Sequence, residues 1–297
     1  MLLTVVTVTT FAVLIRIVAN PLSNVFQKQL THRAADPLFV ISATYGFLAL
    51  VCLAFWSQLR FAGLPVAFWS CMLVVGLFAM IGNVFLVKAL HLGDLSVLGP
   101  INAYKSVVGL IVGIFLLNEI PRWWGLVGVL LIVVGSYVVL ATKQPQTGFS
   151  WRLFQRPEVR LRLAALVFSA IDGAFLKKAI VLSTPTIAFF YWCLFGFGFT
   201  IIWIGFTRRE RWREQATLLV SQKSTYFALF LTVGVTQVAS NIALAGMQVG
   251  YALALFQTSA LVSVLFGYQF FNEKGILRKL IGAGIMVAGA VMITVLG

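Results

Sequence analysis

Charged residues are scarce in this chain of 297 residues. They make up only 10% of it, whereas a soluble domain usually carries about 25%. Hydrophobic residues reach 61%, and the mean hydropathy is +1.00. A water-soluble core cannot bury that much apolar surface, so lipid must be the solvent for most of the chain. The composition excludes an ordinary soluble domain and predicts an integral membrane protein.

The residue types that build most catalytic and metal sites are also rare. The chain has three cysteines and two histidines, and neither type shows the spacing of metal ligands. No His-Glu-x-x-His, Gly-x-Ser-x-Gly or Walker pattern occurs. A single acid near the centre of a span, Asp172, cannot form an aspartyl dyad. We therefore expect no enzyme activity, no metal and no cofactor.

Acidic residues are few as well, with 8 Asp and Glu against 22 Lys and Arg. A net charge of +14 is typical of proteins that bind nucleic acids. Here, however, the basic residues fall in short gaps between apolar runs, where they normally set the orientation of a membrane protein. We therefore expect no nucleic-acid partner.

Ten apolar runs are long enough to cross a bilayer as helices, because about 20 residues span ~30 Å of hydrocarbon. None shows the period-two alternation of a membrane barrel strand. The first run lacks the basic stretch that opens a signal peptide, so we interpret it as a retained span. The predicted spans lie at 4–26, 37–58, 65–90, 95–117, 123–141, 161–182, 186–206, 224–247, 251–271 and 277–296.

The chain divides into two similar halves, residues 1–141 and 161–297, joined by the polar linker 142–160. Segments 115–138 and 269–292 align without gaps at a shift of 154 residues. With five spans in each half, the second half must enter the membrane from the opposite side. The sequence thus predicts an all-α fold of ten transmembrane helices in two inverted five-helix repeats, an arrangement common in transporters. The same shift pairs Gly113 with Gly267, Asn118 with Asn272, Glu119 with Glu273, Gly128 with Gly282, and Gly135 with Gly289.

The Asn-Glu pairs that end the fourth and ninth spans, with the paired glycines of the fifth and tenth, resemble the tandem EamA domains of the drug/metabolite transporter superfamily. The resemblance covers essentially the whole chain. It implies export of small metabolites or drugs, commonly driven by protons or by substrate exchange. One departure lies in the first span, which reads Ala19-Asn20-Pro21 where the family often has Trp-Gly.

The loop charges predict an orientation. The odd-numbered connections hold 15 of the 22 basic residues, and the even-numbered ones hold only Arg60 and Arg122. Because basic loops stay cytoplasmic, this bias places both termini outside the cytoplasm, whereas the family resemblance implies termini inside; we favour the charge bias. The 15 are Lys28, Arg33, Lys143, Arg152, Arg156, Arg160, Arg162, Arg208, Arg209, Arg211, Arg213, Lys223, Lys274, Arg278 and Lys279.

Two ionisable residues near the centres of spans are the leading site candidates, because charges at this depth must face protein or water. Lys105 could bind an anionic group of a substrate, or pair with an acid and hold the halves together. Asp172 could be the proton-coupling group or a static partner of Lys105. Glu119 and Glu273, at the ends of spans, are interpreted as structural and paired with nearby basic residues.

Further polar residues could complete a substrate-binding cavity. Asn20, Asn24 and Lys28 share one helix face because they are four residues apart. Lys177 aligns with Lys28, and we expect it to face the centre while its neighbour Lys178 reaches the membrane surface. Interhelical hydrogen bonds without ligand contact are an equal alternative for each polar residue. The remaining candidates are Asn83, Asn241, Gln257 and Ser259.

The sequence therefore favours a secondary transporter that moves a small polar metabolite, by alternating access and in the direction of efflux. Basic groups outnumber acidic ones inside the spans, which favours an anionic substrate. The five basic residues are Arg16, Lys88, Lys105, Lys177 and Lys178, and the one acid is Asp172. The alternatives are a broad-specificity drug exporter and a receptor or scaffold that binds without transport. We expect a multi-pass protein of the plasma membrane (the inner membrane in a bacterium), with lipid and a small molecule as partners and a homodimer as one candidate assembly.

Overall fold

The structure, a computed structural model, describes residues 2–54, 63–108, 123–140, 154–246, 252 and 255–296. Asn118, Glu119 and residues 142–153 of the predicted linker lie outside the described residues, as does the predicted equivalence of Gly113 with Gly267.

The described part of the chain is all-α, with eleven α-helices. The fourth predicted span begins irregularly, because a 3-10 turn, Pro100–Ala103, follows the short helix Leu95–Leu98 before helix resumes at 104–108. The helices are α1, Leu2–His32; α2, Pro37–Leu53; α3, Val66–Leu92; α4, Leu95–Leu98; α5, Trp123–Leu140; α6, Pro157–Leu182; α7, Pro185–Thr207; α8, Trp212–Ser221; α9, Lys223–Gly246; α10, Ser259–Phe271; and α11, Ile276–Leu296.

Six of these helices are long and apolar enough to cross a membrane: α1, α3, α5, α7, α9 and α11. Two more apolar segments, Pro37–Leu53 and Leu255–Phe271, are shorter. Helix α6 has the length of a span but carries six charged residues, which lowers its hydropathy. The predicted count of ten spans is therefore not confirmed by the described helices, and it stays a prediction.

Local sequence signals set the ends of several helices. Asp36 caps α2 by accepting a hydrogen bond from the backbone N–H of Leu38 at 2.9 Å, and Pro37 occupies the first turn, where its missing N–H costs nothing. Thr184 and Pro185 begin α7 in the same way. Helix α1, by contrast, continues through Pro21. The backbone near Asn20 is therefore helical, and its carbonyl accepts from Ser23 Oγ at 2.7 Å.

The two halves of the chain pack crosswise. Helix α3 packs on α6, α1 on α9, α2 on α7, and α5 on α11. Each of these four extensive pairs joins a helix of residues 1–141 to a helix that begins at Pro157 or later. The packed interior therefore lies at the contact between the two halves of the chain.

Glycines let α5 and α11 approach until their backbones touch. A Cβ atom on Gly128 would lie 2.6 Å from the carbonyl oxygen of Gly289, and one on Gly135 would lie 2.7 Å from that of Gly282. The pairing order is reversed, so the two helices run antiparallel. In the repeat alignment Gly128 is equivalent to Gly282, and Gly289 is equivalent to Gly135. The contact of Gly128 with Gly289 therefore corresponds to the contact of Gly282 with Gly135. This reciprocity is the local two-fold relation expected of inverted repeats.

Candidate functional site

A polar cavity of about 170 Å³ lies between the halves. Helices α1, α2 and α3 of the first half contribute to its wall, as do α6, α7 and α9 of the second half. Polar residues are rare at lipid depth and generally mark substrate pathways. Its polar and charged lining residues are Arg16, Asn20, Ser23, Asn24, Gln27, Thr44, Tyr45, Asn83, Asn102, Lys105, Arg162, Ser169, Asp172, Trp192, Thr236, Gln237, Ser240 and Gln257.

Arg16, on α1, reaches across to the second half. Its Nε donates to Ser240 Oγ at 3.2 Å, and its Nη1 donates to the carbonyl oxygen of Phe256 at 3.5 Å. The guanidinium carbon also lies 3.7 Å from the centre of the Phe256 ring, an arrangement that stabilises a cation. Arg16 is thus held in place by neutral groups.

Arg162, on α6, makes the reverse crossing into the first half. Its Nε donates to the carbonyl oxygen of Leu98 at 3.1 Å, and its Nη2 donates to Asn102 Oδ1 at 3.0 Å. Asn102 in turn donates to Gln257 Oε1 at 3.0 Å. This chain of bonds fixes the guanidinium at the cavity wall, again without a carboxylate.

Lys105 and Asp172 both line the cavity and attract each other electrostatically, but neither makes a direct ion pair or hydrogen bond with a described residue. Asp172 Oδ1 is buried without a hydrogen-bond partner among the described residues. Lys105 Nζ lies close to α6, 3.8 Å from where a Cβ on Gly173 would be. The cavity therefore holds an ammonium and a carboxylate that are available to a ligand.

An aromatic wall adjoins these charges. Asn83 Nδ2 donates to Tyr45 Oη at 3.0 Å, and the rings of Tyr45 and Trp192 meet edge to face with centroids 4.7 Å apart. The indole Nε1 of Trp192 and the amide Oε1 of Gln27 are buried without partners in the described part of the chain. The wall thus contains one buried donor and one buried acceptor that the described residues leave unsatisfied.

The cavity brings together six of the residues that the sequence singled out. They come from α1, α3 and α6 and from the segments at 105 and 257. The six are Asn20, Asn24, Asn83, Lys105, Asp172 and Gln257.

Four other predicted residues do not line this cavity, because their side chains are engaged elsewhere. Lys28 pairs with Glu273 at 3.0 Å, and Lys177 Nζ donates to the carbonyl oxygen of Leu244. Asn241 donates to the carbonyl oxygen of Pro185 at 3.1 Å. The hydroxyl of Ser259 donates to the carbonyl oxygen of Phe256 at 2.7 Å. Lys178 is exposed.

The sequence interpretation omitted both arginines of the cavity from its site residues. Arg16 lies within the first predicted span, and Arg162 is one of the basic residues that the charge count assigns to the loops. A signal for Arg162 exists, because Ser169 follows it by seven residues and therefore shares its helix face. Helix α6 also begins at Pro157, four residues earlier than predicted, which carries Arg162 into the helix.

A second buried polar cluster, outside the cavity, is centred on Glu273. This carboxylate accepts hydrogen bonds from the backbone N–H groups of Leu95 and Ser96, at 2.8 and 2.9 Å. Lys279 Nζ lies 3.7 Å from Glu273 Oε2. Burial raises the pKa of Glu273, but the charge of Lys28 and the bonds from Ser96 outweigh it, so the pKa lies below its ordinary 4.5. The predicted pairing of Glu273 with basic residues is confirmed.

The residue before this glutamate explains why the two occur together. Asn272 ends α10 in the left-handed conformation, with φ of 51°, which asparagine adopts more readily than most residues. The chain then turns back, and Glu273 N–H donates to the carbonyl oxygen of Gly267 at 3.2 Å. Asn272 thus ends the helix, and the turn that follows places the Glu273 carboxylate in the buried cluster.

Among the described residues, no group of three or more His, Cys, Asp or Glu side chains is arranged to hold a metal ion.

Comparison with known proteins decides the family. The model of the EamA-like transporter family matches residues 4–141 and again residues 158–295. The chain belongs to the EamA-like transporter family. Its members are membrane transporters of the drug/metabolite type, and the two matches correspond to the two repeats.

The other comparisons address the fold. No curated protein matches the chain significantly. One solved structure, described only as the crystal structure of a protein, covers 99% of this chain and 97% of its own, with a TM-score of 0.66 and 16% sequence identity. At that identity the likeness shows a shared fold and nothing further.

Proposed function

We propose that this EamA-like chain is a secondary transporter that carries a small anionic metabolite across the membrane by alternating access, in the direction of efflux. One observation carries the proposal: Lys105 is available in a cavity that also holds Arg16 and Arg162, against a single acid, Asp172. Cations of this kind attract and orient an anion through charge-assisted hydrogen bonds.

The crosswise packing of the halves supports alternating access. The cavity lies between inverted repeats, so exchanging the conformations of the halves would exchange the side on which it opens. The available carboxylate of Asp172 supports a proton-coupling role, because a buried carboxylate at such a site can take up and release a proton during the cycle.

A broad-specificity drug exporter is the second candidate. It is favoured by the Asp172 carboxylate, whose Oδ1 has no hydrogen-bond partner among the described residues, in a cavity that Tyr45, Trp192 and Phe256 also line. Aromatic faces and a carboxylate together suit lipophilic cations.

Ligand-dependent thermal stabilisation of the purified protein distinguishes these functions. A ligand that binds only the folded state stabilises it by about 2.7 kcal/mol at 100 times its dissociation constant. Wild type, Lys105→Ala and Asp172→Asn would be tested against anionic, zwitterionic and cationic metabolites, with the exposed Lys178→Ala as the matched control. Stabilisation by anions that Lys105→Ala removes and Lys178→Ala retains is the expected result.

Other outcomes identify the alternatives. Stabilisation by lipophilic cations alone, abolished in Asp172→Asn, would replace the metabolite carrier with the drug exporter. Transport of the stabilising compound into sealed vesicles then tests movement, and binding without movement would identify a receptor.

The cellular setting belongs to the same proposal. We place the protein in the plasma membrane, with both termini outside the cytoplasm as the loop charges favour, and keep a homodimer as a candidate assembly. Labelling of single cysteines introduced at each terminus, from either side of intact cells, tests the orientation.

A further inference from the structure

The charges that line the cavity do not balance. Among its described lining residues, Arg16, Lys105 and Arg162 are cations and Asp172 is the only acid. The wall thus carries two positive charges in excess. A charge held away from water is costly unless an opposite charge approaches it.

Elsewhere in this protein, buried lysines are paired with carboxylates. Lys28 lies 3.0 Å from Glu273, and Lys279 lies 3.7 Å from both Asp94 and Glu273. The cavity cations differ, because the described partners of Arg16 and Arg162 are neutral carbonyl, hydroxyl and amide oxygens. No described lining residue supplies the negative charge that would balance these cations, and a bound anion can supply it.

The two arginines are also built to receive an oxyanion. A guanidinium has five N–H donors, and each arginine uses only two of its nitrogens on described protein groups. Each guanidinium donates its described hydrogen bonds to groups of the opposite half of the chain, and these bonds fix its plane. The remaining donors suit the paired oxygens of carboxylates and phosphates.

We infer that the substrate is a small dianion, a phosphate monoester or a dicarboxylate, held by Arg16 and Arg162 together with Lys105. This inference rests on the proposed anion transport and narrows it to two negative charges. A cavity of about 170 Å³ has room for on the order of ten waters, which fits a small metabolite. Asp172 faces the same cavity and disfavours a substrate with more negative charge.

Matched pairs of probes test the charge count. Methyl phosphate carries two charges above pH 7 and dimethyl phosphate carries one, while succinate and its monoamide differ in the same way. Each is titrated against the purified full-length chain by thermal shift and by calorimetry. We expect the dianion of at least one pair to bind about tenfold more tightly than its monoanion. The pair that responds distinguishes phosphate from dicarboxylate.

Variants assign this preference to the arginines. Arg16→Gln and Arg162→Gln should each reduce the dianion preference to about threefold or less, whereas Lys178→Gln should retain it. Arg162→Lys keeps the charge without the planar fork and serves as the second variant if Arg162→Gln does not fold. We expect Arg162→Lys to bind the dianion more weakly than wild type and to keep part of the preference.

The outcomes separate this inference from the function on which it rests. Equal binding of monoanion and dianion would overturn the dianion inference while leaving an anion transporter. Failure of every anion to bind would contradict both the dianion inference and the proposed anion transport. Saturation by sodium chloride at physiological concentration, with no further effect of any dianion, would assign the cavity charges to inorganic anions and overturn the inference.

Discussion

The ammonium of Lys28 lies 3.0 Å from the carboxylate of Glu273, although the two residues are 245 positions apart in the chain. Both side chains are only 5% exposed. The same carboxylate accepts from the first backbone N–H groups of α4. One ion pair therefore joins α1 and α4 of the first half to the turn between α10 and α11 of the second half.

Replacing Glu273 with glutamine should strongly destabilise the protein. The substitution leaves Lys28 and Lys279 buried without their shared carboxylate, and breaking a buried pair in this way costs about 3–5 kcal/mol. The melting temperature in detergent measures the effect. Glu210→Gln, at an exposed position, is the matched control, and an equal loss in both variants would contradict a special role for Glu273.

The same carboxylate predicts a pH dependence. Glu273 titrates below its ordinary 4.5 when folded, so its ionised form stabilises the protein above pH 4.5, and this stabilisation is lost as the pH falls through the folded pKa. We expect the melting temperature of wild type to fall more steeply below pH 4.5 than that of Glu273→Gln. Parallel curves for the two proteins would show that Glu273 does not contribute.

The glycine contact between α5 and α11 predicts a sharp positional effect. Gly135→Ala places a Cβ about 2.7 Å from the Gly282 carbonyl oxygen, and such overpacking costs about 1–3 kcal/mol. A Cβ on Gly284 would meet no described atom within 4 Å, so Gly284→Ala should melt like wild type. Comparing the two melting temperatures checks the prediction, and equal tolerance would argue against backbone contact.

Adjacent lysines on α6 should behave differently. Lys177 donates to the Leu244 carbonyl on α9, so Lys177→Gln should lose roughly 1.5–3 kcal/mol, as expected for a hydrogen bond from a charged donor. The exposed Lys178→Gln should lose almost nothing. Because neither residue lines the cavity, both variants should bind anions as wild type does, and a selective loss of anion affinity in Lys177→Gln would restore Lys177 to the site.

The repeat signals were the most informative part of the sequence. Aligned glycines and Asn-Glu pairs anticipated related halves, because a close helix contact and a left-handed helix end both demand particular residues. What the alignment could not give was the partner of each glycine. Gly128 meets Gly289 and not its equivalent Gly282, a consequence of antiparallel packing.

The cavity was only partly predictable. Asn20, Asn24, Asn83 and Lys105 stand out because polar residues within apolar runs are costly. Such reasoning cannot tell which polar residue bonds to a distant element, as Asn241 does to Pro185. Three of the basic residues assigned to cytoplasmic loops, Lys28, Arg162 and Lys279, are buried, at 4%, 7% and 1% exposure. They therefore contribute less than loop charges to the predicted orientation.

The crosswise packing also bears on how the protein is made. During synthesis, α1, α2, α3 and α5 are translated before α9, α7, α6 and α11, the helices that they pack against. The contact faces of the first half therefore have no partner until the second half has been translated.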